Sequence, residues 1–151
     1  MLAYTDASFD VNTGEAVVAV LLLSNDMFMG MYTERVKAAS SSEAELYGVL
    51  KAIEFVDVNY PESSVIKIKT DNEANVRLYR RCTSNEDLIR YVKYSDVWKQ
   101  IIKASKERAI YLNHVNSHLA VRNPNNVCDM LARCCLARKE CECERQSNGS
   151  V

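Results

Sequence analysis

The first 36 residues hold three strand-like runs joined by links too short for anything but hairpins. The runs are 1–9, 15–24 ("EAVVAVLLLS") and 27–36 ("MFMGMYTERV"), and the links are "DVNTG" and "ND". Strands joined in this way lie antiparallel, as a meander. The rest of the chain has a different rhythm. "ASSSEAELYGVLKAIEFVDVNY" (39–60) carries Leu46, Val49, Leu50, Ile53 and Val56 at helical spacing. Ser41 or Ser42 can cap that helix, the early acids suit its N-terminal dipole, and Pro61 ends it. A strand is expected over 65–70 ("VIKIKT"), then a short helix in "NEANVRLYRR" and a longer helix, open to a break, over 86–107. "AIYLNHV" (109–115) reads as a fifth strand, "SHLAVRNPNN" as a loop and "VCDMLARCCLARKE" as a final helix. The order βββαβααβα predicts an α/β fold: a five-stranded mixed sheet, three antiparallel strands and then parallel ones, flanked by helices.

A chain of 151 residues suits one domain with a core of its own. We expect that domain over residues 1–138 and a disordered tail over 139–151. Hydrophobic residues make up 48% and charged residues 26%, as in a globular protein rather than a disordered or membrane-embedded one. No apolar run has the length of a membrane span, and no basic stretch followed by an apolar one opens the chain. A cytoplasmic monomer without membrane contact is therefore the expectation. On that basis the six cysteines (Cys82, Cys128, Cys134, Cys135, Cys141, Cys143) read as reduced thiols. Their Cys-Cys-x5-Cys-x-Cys cluster lacks the Cys-x2-Cys pairs of structural zinc sites. Net charge is −1, yet residues 72–108 hold nine Lys/Arg and five acids, a local excess of four. A solvated helix face is the ordinary meaning of such a count, although a local basic surface can bind phosphates when the total charge is near zero.

Two Thr-Asp pairs close two of the strand-like runs, in "LAYTDAS" and "IKIKTDNEAN". Alternation puts Leu2, Tyr4 and Asp6 on one face of the first strand, and Lys67, Lys69 and Asp71 on one face of the fourth. If those strands are neighbours, Asp6 and Asp71 come together. Adjacent carboxylates repel unless one is protonated or a cation lies between them. Mg2+ fits, because it takes one or two carboxylates and completes its shell with water and substrate phosphate. The first helix offers Glu43 and Glu45. At 100° per residue, Glu45 lies roughly 65° from the centre of the apolar stripe and Glu43 roughly 95° away on the other flank. Glu45 is thus the better inward-pointing candidate. Asp129, early in the last helix, is a fourth acid. Singly, such residues cap turns and helices more often than they catalyse. Their joint placement in this element order is far more specific.

These motifs resemble those of a type 1 ribonuclease H, over about residues 1–138. "YTDAS" resembles the first-strand motif and implies Asp6 as a metal ligand. "SSSEAELYGVLKAI" resembles the opening of the first helix and implies Glu45, and "IKIKTDNEANV" implies Asp71. "HVNSHLAVRNPNNVCDMLAR" resembles the C-terminal pattern and implies Asp129 as the fourth acid and His118 as the loop histidine. His114 falls inside a strand-like run, where packing is its expected role. There are departures: "SSS" stands where many relatives carry an Asn, the loop lacks a "GHxG" form, and the basic stretch 77–93 is short for a basic handle.

The resemblance implies an endoribonuclease that hydrolyses the RNA strand of RNA–DNA hybrids without sequence preference, leaving a 5′-phosphate and a 3′-hydroxyl. Two Mg2+ ions, for which Mn2+ can substitute, would be held by Asp6, Glu45, Asp71 and Asp129. They would activate a water and neutralise the leaving 3′-oxygen. His118 would shuttle a proton or aid product release. Substrate contacts are expected from the main chain of Ala7, Ser8 and Phe9, from Ser40, Ser41 and Ser42, and from Asn72. Phosphate contacts are expected from Arg77, Arg80 and Arg81. Two rivals keep the fold: a non-catalytic nucleic-acid-binding or structural module, and a related DNA nuclease or strand-transfer domain. A binding module would hold hybrid without Mg2+ and leave it intact with it.

Overall fold

Leu2–Phe9 (β1), Glu15–Ser24 (β2) and Met27–Lys37 (β3) form the antiparallel meander. Asn25 and Asp26 make the two-residue turn between β2 and β3, both at positive φ, which matches the twist of the flanking strands. Then come Ser41–Asn59 (α1), Val65–Thr70 (β4), Glu73–Ser84 (α2), a 3-10 turn at Glu86–Tyr91, Ser95–Glu107 (α3), Ala109–His114 (β5) and Pro124–Ala137 (α4). The computed structural model describes residues 1–116 and 123–138. The sheet order is β3-β2-β1-β4-β5, with β1–β4 and β4–β5 parallel. Element order and sheet are as the sequence predicts.

Two local details, the cap of α1 and the start of α4, differ from expectation, and a third, the break allowed for in 86–107, is found. The cap of α1 is Ser40, not Ser41 or Ser42: its backbone is extended and its Oγ accepts the Glu43 N–H at 3.1 Å. The 86–107 helix is broken, because the 3-10 turn stops at Tyr91 and α3 starts after Tyr94, a non-glycine at φ 59°. Finally, α4 begins at Pro124, three residues before the expected start. Asn123 caps it by accepting the Asn125 N–H at 3.0 Å, and proline suits a first helical turn, where its missing N–H costs nothing.

The core has two unequal layers. On one face of the sheet, α1 lays Leu46, Val49, Ile53 and Val56 against Val20, Leu22, Ile66 and Ile68, joined by Trp98 and Ile101 of α3. Each such fully buried side chain stabilises the fold by about 1.5–3 kcal/mol. On the other face, Cys128, Ala132 and Cys135 of α4 pack on Val17, Ala19 and Leu21. Both faces of β2 are therefore covered, which is why Ala16 to Leu22 form an unbroken buried run. Cys82, Cys128 and Cys134 are free, but Cys135 is disulfide-bonded, which corrects the reading of all six cysteines as thiols. That reading rested on compartment, which says nothing about which sulfurs the fold brings together. Among the described residues, no helix is long and apolar enough to cross a membrane.

Candidate active site

The parallel pairing of β1 with β4 runs Leu2 with Lys67, Ala3 with Ile68 and Tyr4 with Lys69. Carried two residues further, that register sets Asp6 beside Asp71 at the same end of two central strands. α1 adds Glu45 from above. One carboxylate oxygen from each of Asp6, Glu45 and Asp71 lies within 4.8 Å of the others. The approach of α1 depends on Gly48, one turn beyond Glu45, because a Cβ there would collide with Thr5 Oγ1 of β1.

The Ala7 N–H ties two of these acids together, meeting Asp6 Oδ1 at 2.9 Å and Glu45 Oε1 at 3.2 Å. Burial pushes the Asp6 carboxyl up to about 6; the hydrogen bond with Glu45 opposes the rise, and the charges of Asp71 and Asp129 add to it. Burial also drives Glu45 well above the usual carboxylate range, with the Asp6 charge next in weight. Glu45 Oε2 is closed off from solvent and has no hydrogen-bond partner among the described residues. An orphaned buried acceptor beside two further carboxylates is a donor set that suits a hard divalent cation with oxygen ligands. Behind the cluster, Cys128 Sγ donates to the Tyr4 carbonyl at 3.5 Å. Burial pushes that thiol up to about 12, so it packs as a neutral group.

Asp129 stands outside the three-carboxylate group. Its Oδ1 accepts from Arg133 Nε at 2.9 Å on the same helix, although its charge still reaches Asp6. His118 lies outside the described residues. Glu43 serves the helix start instead, its Oε2 accepting the Ala39 N–H at 3.1 Å. The Ala7 amide is engaged by the carboxylates, and Ser8 and Phe9 pair with Val17 and Ala16 in the β1–β2 ladder. Ser41 and Ser42 are exposed on the first turn of α1, whereas the Ser40 hydroxyl also lies 2.6 Å from Tyr94 Oη. Asn72 caps α2 by accepting the Asn75 N–H at 3.0 Å. Arg77 pairs with Glu73 at 3.7 Å, while Arg80 and Arg81 are exposed on α2. Sequence reasoning missed Tyr94. The "YSD" at 94–96, a Ser-Asp helix start inside a segment read as open to a break, was the available signal for where the break falls.

The sequence model of the RNase H family matches residues 1–136. The chain belongs to the RNase H family. Solved structures agree in fold. The RNase H1 of the archaeon Halobacterium salinarum NRC-1 superposes with a TM-score of 0.64 at 20% identity, covering 90% of this chain and 96% of that one. LC11 RNase H1, in complex with RNA/DNA hybrid, gives a TM-score of 0.69 at 15% identity, covering 87% and 93%. The PFV RNase H domain gives 0.70 at 15% identity, covering 87% and 91%. No curated protein matches the chain. Asp6 lies in β1, Glu45 in α1, Asp71 directly after β4 and Asp129 in α4, the helix after β5.

Proposed function

We propose that the protein cuts the RNA strand of RNA–DNA hybrids, without sequence preference, to leave a 5′-phosphate and a 3′-hydroxyl. The observation that carries this reading is the convergence of Asp6, Glu45 and Asp71 within 4.8 Å, in a chain of the RNase H family. The hybrid bound in the LC11 RNase H1 structure supports the choice of substrate. Asp6, Glu45 and Asp71, with Asp129, would hold two Mg2+ ions, for which Mn2+ can substitute. When bound, the ions supply a water nucleophile at neutral pH and neutralise charge on the leaving oxygen.

The chain's own residues prepare that site. The Ala7 N–H fixes the carboxylates of Asp6 and Glu45 in one orientation, so neither has to reorganise when substrate arrives. Burial raises both carboxyls, so the pair takes up protons more readily without a cation than with one. Ser41 and Ser42 offer exposed hydroxyls to the 2′-hydroxyl face of the hybrid, the feature that separates RNA from DNA. Arg80 and Arg81 take phosphates, a contact that positions the duplex without reading sequence. His118 is the candidate for moving a proton to or from the reacting phosphate, since an imidazole titrates near neutrality.

The test is cleavage of a labelled hybrid with Mg2+ and with Mn2+, beside Asp71→Asn. Cutting by the native chain, reduced more than about 100-fold in the variant, is the expected result. A folded protein that binds hybrid but leaves it intact with either metal would replace this reading with a binding module.

A further inference from the structure

Parallel strands are ordinarily covered on both faces. Among the described residues, β4 and β5 are covered on one. Their inner side chains Ile66, Ile68, Ile110 and Leu112 are buried. On the opposite face α4 crosses β1, β2 and β3. It leaves Lys67 exposed, Lys69 and Asn113 half-buried, and Tyr111 54% exposed. The ladder sets Lys67 beside Tyr111 and Lys69 beside Asn113, so two cations, an aromatic ring and an amide form one flat patch. Neither lysine makes an ion pair among the described residues. Two residues past Lys69, the same strand delivers Asp71 to the carboxylate cluster. At the free edge of β5, Tyr111 and Asn113 also line a groove of about 500 Å³ whose other wall carries Arg80.

We propose that this uncovered face binds a single strand of nucleic acid, with phosphates on Lys67, Lys69 and Arg80 and a base stacked on Tyr111. The inference rests on the nuclease reading for its choice of polymer, and it extends the surface beyond the cutting site. Charge complementarity selects a polyanion. Along the two strands Lys67 and Lys69 meet no acid until Asp71; Asp26 shares a hollow with Lys67, and Glu86 lines the Arg80 groove but is paired there with Lys106 at 2.6 Å. Core positions of protein–protein interfaces are depleted in lysine. The exposed ring selects a single strand over a duplex, because duplex bases already stack on each other while a single strand can splay a base onto an aromatic. The patch is two strands wide, about 5 Å between strand axes, which suits one backbone. Its start beside Asp71 places it to hold the single-stranded continuation of a hybrid engaged at the carboxylates.

The experiment is fluorescence anisotropy of a labelled single-stranded RNA of about twelve nucleotides, and of DNA of the same sequence, without divalent metal. A blunt RNA–DNA hybrid serves as the duplex control. We expect the native chain to bind either single strand, Tyr111→Ala to weaken that binding about five-fold or more, and Tyr111→Phe to retain it. Lys67→Gln should lower the slope of log affinity against log salt by about 0.7, one phosphate contact on a single strand. Cutting of the blunt hybrid should be unchanged in all three variants. No single-strand binding by the native chain would overturn the proposal. So would variants with native affinity and slope, or a Tyr111→Ala loss equally large on the blunt duplex. A chain that binds single strands through Tyr111 yet cuts no hybrid would sink the nuclease reading and leave this surface standing.

Discussion

Gly48 of α1 lies against Thr5 of β1, so closely that a Cβ on residue 48 would run into the Thr5 hydroxyl. That oxygen is buried and has no hydrogen-bond partner among the described residues. The contact sets how near α1 comes to the sheet, and Glu45 sits one turn earlier on the same helix. Gly48→Ala should therefore destabilise the fold by about 1–3 kcal/mol in urea unfolding, although alanine favours a helix by about 1 kcal/mol. It should also reduce the thermal stabilisation given by Mg2+. Thr5→Ala in the same chain should restore both. A Gly48→Ala protein as stable as the native chain would show that this contact does not limit the approach.

The Asp6–Glu45 pair makes a pH prediction with a definite sign. Asp6 is raised to about 6 and Glu45 well above its usual range, in each case chiefly by burial. Between about pH 4 and 6 the folded chain then holds more protons at Asp6 than the unfolded chain does. The contribution of the pair is fully present below the unfolded carboxylate range and is lost as pH rises through the folded value. Metal-free Asp6→Asn should accordingly be more stable than the native chain at pH 7.5, by ~1–3 kcal/mol. The advantage should shrink toward pH 4, and Mg2+ at pH 7.5 should cancel it by stabilising the native chain alone. Thermal unfolding across pH with and without EDTA reads this directly. Equal melting temperatures of the two proteins at every pH would refute it.

Arg133 competes for Asp129. The ion pair is 2.9 Å long, but the arginine side chain is 72% exposed, so it contributes only about 0.3–0.5 kcal/mol. If Asp129 serves as the fourth ligand, a cation must draw it from that partner. Arg133→Gln should then leave the melting temperature nearly unchanged and lower the Mg2+ concentration for half-maximal cutting about two-fold, a shift of the size such a weak pair allows. Asp129→Asn should raise that concentration. An Mg2+ requirement unmoved by either substitution would remove Asp129 from the ligand set.

Strand alternation and the Thr-Asp pairs put Asp6 and Asp71 at like positions on their strands and made their meeting conditional on β1 and β4 being neighbours, a condition that the sheet order supplies. The choice of Glu45 over Glu43 rested on helix angle and on the motif resemblance, and Glu43 binds the Ala39 amide at the helix start. Other features left no such trace. The distance between α1 and β1 is a property of two elements, and nothing in the local pattern around Gly48 or Thr5 reports it. The contact of the Ala7 N–H with Glu45 likewise depends on where α1 lands, which the strand pattern does not report. Tyr94 adopts a left-handed conformation that tyrosine rarely takes, so local preference did not mark it as the point where the 86–107 segment breaks.

That strained Tyr94 is held by a partner, which makes it testable. Its Oη lies 2.6 Å from Ser40 Oγ, the same oxygen that caps α1. The hydroxyl pair thus joins the start of α1, where Ser41 and Ser42 are exposed, to the link before α3. Tyr94→Phe should cost about 1 kcal/mol for one part-buried hydrogen bond, and Ser40→Ala about 1–2 kcal/mol because it loses the cap as well. The two losses should not add. A double-mutant cycle in urea should show a coupling of about 0.5–1 kcal/mol. Tyr94→Phe should also weaken hybrid binding less than it weakens folding, since Ser41 and Ser42 remain in place. Additive losses would mean that the two hydroxyls act independently. A hybrid affinity that fell further than stability would instead put the Tyr94 hydroxyl on the substrate.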